Sequence, residues 1–332
     1  MTVRQLAVIG AGAHASTNIL PACVLADVRV QALATRDLDR SRAALRRCGS
    51  DGTAYDDADA LLADATVRDV VVVAQPADQL RIARAAVRAG KNVLVDKPLG
   101  WTAAEAAEIA RDADEHGTVL MVGFMKRYAP VYRRLHDLLD DGGLGTVRSF
   151  HLTFACDSTS FCADVEEFVK LAAIHVIDLV RWLFGEIDDV RAVSSGSGAH
   201  VALSVLVRTR AGLAGTLELS GLPGCSSEVE TLRVTGDDGW AVAEDVARLS
   251  VHTRTANDEP SWRDQSERMT VHSPAESTMS GGGRDLYLRG FVGEIDEFVA
   301  CVRERREPAS SGRDNVATMT LVEQILTAAA AR

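Results

Sequence analysis

Along the first 123 residues, short apolar runs closed by glycine or proline alternate with stretches whose apolar positions recur every three or four residues. The runs Leu6–Ile9, Val28–Ala34, Val70–Ala74, Asn92–Val95 and Val119–Val122 read as strands. Several are unbroken by polar residues, the mark of strands buried on both faces. Between them, helices are predicted from about Ala13 to Leu25, from about Ala77 to Ala89, and from Thr102 to His116. Gly90 and Gly117 supply left-handed stops, and Thr102 with Glu105 forms a capping box. Strand and helix in strict alternation mean a doubly wound parallel sheet with right-handed crossovers.

After Gly123 the pattern changes. A helix from about Ala129 to Asp140 leads into a long strand, Thr146 to about Cys156. A polar stretch, Asp157–Glu167, is expected to lie above the substrate. A helix from about Phe168 to Phe184 follows. Val190–Val193, Val201–Arg208, Leu213–Ser220, Glu228–Thr235 and Trp240–Ala243 read as antiparallel strands between glycine-containing turns. The Ser- and Gly-rich stretch Asn257–Gly283, with Trp262 inside it, is expected to be a mobile loop. Tyr287–Arg305 carries Phe291, Ile295, Phe298 and Val302 on one stripe, and a last helix runs from Asp314 to Ala330 under Asp314 or Gly312 as cap. The expected boundary falls at residue 123, leaving 124–332 as a substrate and oligomerisation domain whose C-terminal helix is free to pack back on the first.

A chain of 332 residues is too long for one ordinary core, which agrees with two domains. A net charge of -11 without any basic tract excludes nucleic acid and anionic membrane as partners. No apolar run reaches the roughly 20 residues of a membrane span. The 6 cysteines are scattered without C-x-x-C, and the start lacks a signal-peptide layout, so a cytoplasmic protein with reduced thiols is expected. Cys156, Cys162 and His175 fit no common zinc spacing, so no metal is expected. Acyl-transfer and P-loop motifs are missing.

The chemistry concentrates at strand ends. Gly10-Ala11-Gly12-Ala13-His14-Ala15 follows the first strand with G-x-G-x-x-A spacing. Gly10 permits the tight turn, Gly12 lets a pyrophosphate approach the backbone, and Ala15 lets the helix sit close. This is the layout of a Rossmann dinucleotide site, with Ala13 and His14 in the loop and His14 a bystander to catalysis. At the second strand end, where an NAD site usually has an acid, stand Thr35 and Arg36, with Arg40 and Arg42 near. A guanidinium can grip a 2′-phosphate, so NADP is preferred over NAD. The alternative is that Asp37 does the acid's work. Gln75-Pro76 closes the next strand beside the cofactor. Asp96-Lys97-Pro98 ends the strand after that. Pro98 holds Lys97 extended, at the rim where ligands bind, and the amine can exchange a proton with a reacting carbonyl. Further on, Lys126, Arg127 and Tyr128 read either as a hinge or as groups near phosphate or substrate. His175, Asp178 and Trp182 share a helix face, with Asp178 able to hold the imidazole in one tautomer and Lys170 close by.

Four stretches occur in the order found in the Gfo/Idh/MocA family of NAD(P)-dependent oxidoreductases: Gly10–Ala15, Ala89–Leu99 (A-G-K-N-V-L-V-D-K-P-L), Gly123–Pro130 (G-F-M-K-R-Y-A-P) and His175–Gly185 (H-V-I-D-L-V-R-W-L-F-G). The chain resembles that family over nearly its whole length. The resemblance implies an α/β Rossmann domain followed by an α+β domain whose open, mostly antiparallel sheet supports a homodimer or homotetramer. It implies that Lys97, in the family's E-K-P motif with Asp96 for glutamate, lies near nicotinamide and substrate, and that His175 is the family's second-domain histidine. The chain departs from the pattern at Leu171, where an acid usually precedes the histidine by four, at Leu80, often a histidine, and at Thr35, which replaces the acid at the second strand end. The expected activity is NADP(H)-dependent hydride transfer to or from a keto-sugar or nucleotide-linked sugar, with Lys97 and His175 catalytic and Lys126, Arg127, Tyr128, Asp178 and Lys170 about the substrate. A C=N reductase and a silent NAD(P)-binding regulator are the alternatives.

Overall fold

The structure, a computed structural model, describes residues 4–254, 267–275 and 283–331. Two compact units emerge: Met1–Met125 with Gly282–Thr320, and Lys126–Gly281 with Leu321–Arg332.

The first unit is built on a parallel sheet of β1 (Gln5–Ile9), β2 (Arg29–Ala34), β3 (Thr53–Tyr55), β4 (Asp69–Val72), β5 (Asn92–Asp96) and β6 (Leu120–Gly123), in the order β3-β2-β1-β4-β5-β6. The strand order reverses between β1 and β4, and the crevice at such a point is where α/β sheets take ligands. Ala7, Val8, Val70, Val72, Val93 and Val95 are fully buried, as runs covered on both faces must be. β3 had no sequence signal because Thr53-Ala54-Tyr55 is short and partly exposed at the sheet edge. The helix after β1 is Ala15–Ile19, a π-helical turn, continued as Leu20–Leu25. Pro21 has no N–H to give to the turn before it, where the helix widens. The helices Pro76–Arg88 and Ala103–His116 stand close to the predicted limits, the second with its capping box and Gly117 stop.

The chain returns to this sheet at its far end. Val122 N–H donates to the Ser310 carbonyl at 2.8 Å, and Ser310 Oγ donates back to the Val122 carbonyl at 2.8 Å. The helix Phe291–Glu304, which the sequence reading set in the second domain, lies in this first unit, with Ile295 and Phe298 fully buried.

The second unit holds β7 (Val147–Cys156), β8 (Ile187–Ser197), β9 (His200–Thr209), β10 (Ala214–Gly221), β11 (Val229–Gly236), β12 (Gly239–Glu244), β13 (Arg248–Arg254) and β14 (Glu267–His272), ordered β14-β13-β12-β11-β7-β10-β9-β8. Among the described strands of this sheet only β7 and β10 pair in parallel. Burial alternates: Val201, Leu203, Val205 and Val207 point inward while Leu206 points out. Gly215 lets the Phe150 ring close over it, and that ring stacks on Phe184 at 4.1 Å. β14 falls inside the stretch expected to be a mobile loop. It is an edge strand with hardly a buried position, so its sequence carries no apolar period. The remainder of that stretch, Trp262 included, lies outside the described residues apart from 273–275 and Gly283. Asp157–Glu167 ends in a helical turn, Val165–Glu167, capped by Asp164, and Phe168–Ala173 is π-helical before the regular helix Ile174–Phe184.

Candidate functional site

Gly10 has φ +109°, and a Cβ there would lie 1.8 Å from the Val73 carbonyl oxygen, so the turn admits only glycine. At Gly12 a Cβ would meet nothing within 4 Å, which leaves the backbone open to an approaching group. A cavity of ≈ 350 Å³ lies against this loop, lined by Ala11, Gly12, Ala13, Ser16, Arg40 and Arg47 among others. The open glycine backbone beside arginines suits a dinucleotide pyrophosphate. Arg40 Nη2 donates to the Ala11 carbonyl at 3.0 Å, tying the helix Leu38–Arg47 to the loop.

At the end of β2, Thr35 Oγ1 donates to the Asp37 carbonyl at 2.7 Å, and Thr35 N–H donates to Ser41 Oγ at 2.9 Å. The Asp37 carboxylate accepts the Arg40 N–H at 2.9 Å as the helix N-cap. Arg36 is exposed and has no ion-pair partner among the described residues. Gln75 and Pro76 are exposed at the helix start that follows β4.

The end of β5 is more elaborately held than its sequence suggested. Asp96 Oδ1 accepts the Lys97 N–H at 2.9 Å. The Lys97–Pro98 peptide is cis. Gln79, buried, donates from Nε2 to the carbonyls of Asp96 at 2.5 Å and Pro98 at 3.1 Å, so it brackets Lys97 from both sides. Asn315, fully buried, donates to the Leu99 carbonyl at 3.3 Å. Glu105 accepts the N–H groups of Trp101 at 2.6 Å and Thr102 at 3.1 Å. Lys97 itself is half-buried. Sequence reasoning missed Gln79 and Asn315. A polar residue one turn into an otherwise apolar helix face was the available signal for Gln79.

Beside Asp96 lies His14, Nε2 to Oδ2 3.7 Å, with its Nδ1 3.0 Å from Asn18 Nδ2 and its ring edge-on to Phe291 at 5.6 Å. One helical turn beyond Phe291 is Glu294, 2% exposed. Burial, with the Asp96 charge adding to it, pushes the Glu294 carboxyl well above the usual carboxylate range.

In the second unit the predicted substrate residues have partners of their own. Lys126 Nζ meets Glu228 at 3.0 Å and Glu230 at 2.5 Å, and the Tyr132 hydroxyl donates to Glu230. Burial works against the Lys126 charge, yet the two carboxylates outweigh it and hold the ammonium above its usual value. Arg127 Nε and Nη2 donate to both oxygens of Asp178, at 2.7 and 2.5 Å, with both side chains buried. Asp178, expected to orient His175, is thus engaged in a two-pronged pair with Arg127. Lys170, 4% exposed, pairs with Glu166 at 2.6 Å. Tyr128 is buried, while His175 and Leu171 are half-buried. The charges foreseen for a ligand on Lys126, Arg127, Asp178 and Lys170 are met inside this unit.

Among the described residues no group of three or more His, Cys, Asp or Glu side chains is placed to hold a metal ion, and no helix is long and apolar enough to cross a membrane. The first unit, with its glycine loop and reversed strand order, is a nucleotide-binding oxidoreductase domain. Residues 4–124 match the oxidoreductase family with NAD-binding Rossmann fold, and residues 132–242 match the GFO/IDH/MocA C-terminal domain. The chain belongs to the Gfo/Idh/MocA family. It is 28% identical over 331 residues to a D-apiose dehydrogenase of Paraburkholderia graminis, covering 96% of this chain and 85% of that protein. It is 33% identical over 232 residues to an inositol 2-dehydrogenase of Acidothermus cellulolyticus, covering 65% of this chain and 66% of that protein. A levoglucosan dehydrogenase solved with NADH and levoglucosan shares the fold with a TM-score of 0.84 at 20% identity, covering 98% of this chain and 97% of that one.

Proposed function

We propose that this chain is an NADP(H)-dependent oxidoreductase that moves a hydride to or from a carbon of a small sugar or nucleotide-linked sugar, interconverting alcohol and ketone. The observation that carries the reading is the bracketing of Lys97. Neutral amides from Gln79 and Asn315 fix the backbone around it, at the strand end where α/β sheets bind ligands. The bound dinucleotide supplies or accepts the hydride. The glycine loop holds its pyrophosphate, with Gly12 giving the close approach. Lys97 donates a proton to the oxygen that becomes an alkoxide, or removes one in the other direction, help worth on the order of 10²–10⁴ in rate. His175 orients the substrate. Arg36 grips the 2′-phosphate; its exposure and the use of Asp37 as a helix cap support the phosphate over a bare ribose. Relatives named for apiose and inositol support a polyhydroxylated substrate.

A C=N substrate is the second reading, favoured by the half-buried Leu171 where the family usually has an acid. The open face of the β7–β14 sheet exposes Val193, Leu206, Val229, Met269 and Val271, which supports a homo-oligomer through that face.

The test is stopped-flow oxidation of NADPH and NADH against a panel of ketoses, nucleotide-linked keto-sugars and cyclic imines, with the reverse reaction on the alcohols. Turnover with keto-sugars, and an NADP preference that Arg36→Ala abolishes, is expected. Turnover with imines alone selects the second reading, and binding without turnover on any member makes the chain a cofactor-binding regulator.

A further inference from the structure

Glu294 is a carboxyl with no use in the chemistry described so far. It lies on the helix Phe291–Glu304, far along the chain from the glycine loop, yet it faces that loop's surroundings. Phe291, one turn before it, meets the His14 ring at 5.6 Å, and His14 lies 3.7 Å from Asp96. Glu294 is 2% exposed, and its buried Oε1 has no hydrogen-bond partner among the described residues. A buried polar atom left unsatisfied calls for an explanation, and one explanation is a ligand group. Its electrostatic neighbour is Asp96, the residue before Lys97.

We propose that Glu294 belongs to the dinucleotide site, and that the oxidised nicotinamide ring displaces from its carboxyl a proton that the reduced ring leaves in place. This rests on the reading above, that a nicotinamide dinucleotide binds at the end of β5.

A carboxyl that is 2% exposed with one oxygen unmatched is costly to ionise, and the Asp96 charge adds to that cost, so Glu294 keeps its proton. The oxidised ring bears a positive charge and the reduced ring none. A cation beside Glu294 favours its ionised form, so the proton leaves to solvent as the oxidised dinucleotide binds. The neutral ring gives no such driving force. Other titratable groups around Glu294 do not do this work. On its own helix, Asp296 is tied to Arg4 at 2.5 Å and Glu297 to Arg306 at 2.8 Å. On the neighbouring helix Leu20–Leu25, burial pushes the Cys23 thiol up to about 12, so it stays neutral. On the short helix Arg284–Leu288, which also packs against the helix of Glu294, Asp285 and Tyr287 are exposed. Arg284, His14 and Lys97 remain, and the variants below separate His14. By linkage, affinity for the oxidised form should rise by up to about tenfold per pH unit above the ordinary carboxylate range, while that for the reduced form stays flat.

The test is calorimetric titration of the full chain with oxidised and reduced NADP, each in two buffers of different ionisation enthalpy, which counts protons directly. Comparing the two forms cancels any proton taken up at the ribose phosphate. The expected result is release of close to one more proton with the oxidised form, a difference lost in Glu294→Gln and kept in His14→Gln. Equal proton counts in the wild-type chain, or a difference that survives in Glu294→Gln, overturns the proposal and leaves the oxidoreductase reading standing. Failure of both forms to bind overturns the two together.

Discussion

Lys97 and the pair Lys126-Arg127 are basic residues at the edges of two motifs, and they are held in opposite ways. Around Lys97 the grip is on the backbone, by the neutral side chains of Gln79 and Asn315. Around Lys126 and Arg127 the grip is on the charge itself, by Glu228, Glu230 and Asp178. The first grip sets where the lysine main chain runs at the end of β5. A cation buried against carboxylates is part of the core, and its removal strands an uncompensated charge. Similar one-letter patterns, D-K-P and M-K-R-Y, thus end in a backbone held by neutral amides in one case and in cations buried against carboxylates in the other.

Two lysine substitutions run side by side separate these roles most strongly. Lys97→Ala should cut turnover by on the order of 10²–10⁴ with dinucleotide affinity and unfolding midpoint near wild type. Lys126→Ala should instead lower stability by about 3–5 kcal/mol, read by urea unfolding, because Glu230 is left buried without its ammonium. If the two phenotypes were exchanged, the assignment of roles would be reversed. Asp178→Asn should cost a similar amount, and replacing Arg127 and Asp178 together by apolar residues should recover much of it. Gln79→Leu should cost about 1–3 kcal/mol for the carbonyls it leaves unmet, with a fall in turnover that Asn315→Leu shares. Wild-type turnover in both would show that bracketing the Lys97 backbone is immaterial.

The smallest expected effect concerns Glu294 and pH. Its carboxyl is raised on folding, so its contribution to stability is full below the ordinary carboxylate range and is lost as pH rises towards the folded value. Glu294→Gln should therefore gain stability relative to wild type as pH is raised from about 5 to about 8, as measured by thermal unfolding. A difference independent of pH would show that folding does not raise the Glu294 carboxyl.

Much of the first unit was legible because its signals are local. Alternating strand and helix, the capping box at Thr102, the glycine stop at Gly117 and the G-x-G-x-x-A turn are each set by residues a few positions apart. What the sequence hid was long-range. Gln79 reaches across to residues 96 and 98, Asn315 to residue 99, and Phe291 to His14. No periodicity links such partners. The fates of Lys126 and Arg127 were hidden for the same reason, since Glu230 lies on β11, Glu228 just before it and Asp178 on the helix Ile174–Phe184, and a charge in a sequence does not announce its burial. β14 escaped because an exposed edge strand has no buried face to mark it. Asp178, the expected orienter of His175, proved to be the carboxylate that Arg127 grips.

The central claim is that the Lys97 amine transfers a proton during hydride transfer, and Lys97→Arg tests it most directly. Arginine keeps the positive charge but does not release its proton at working pH. Single-turnover hydride transfer, followed by NADPH absorbance across pH with the best substrate of the panel, is expected to fall at least a hundredfold in that variant, about the lower limit of acid–base help, and to lose the limb of its pH profile. A variant that runs at the wild-type rate with the wild-type profile would contradict the claim, because a fixed charge alone would then suffice.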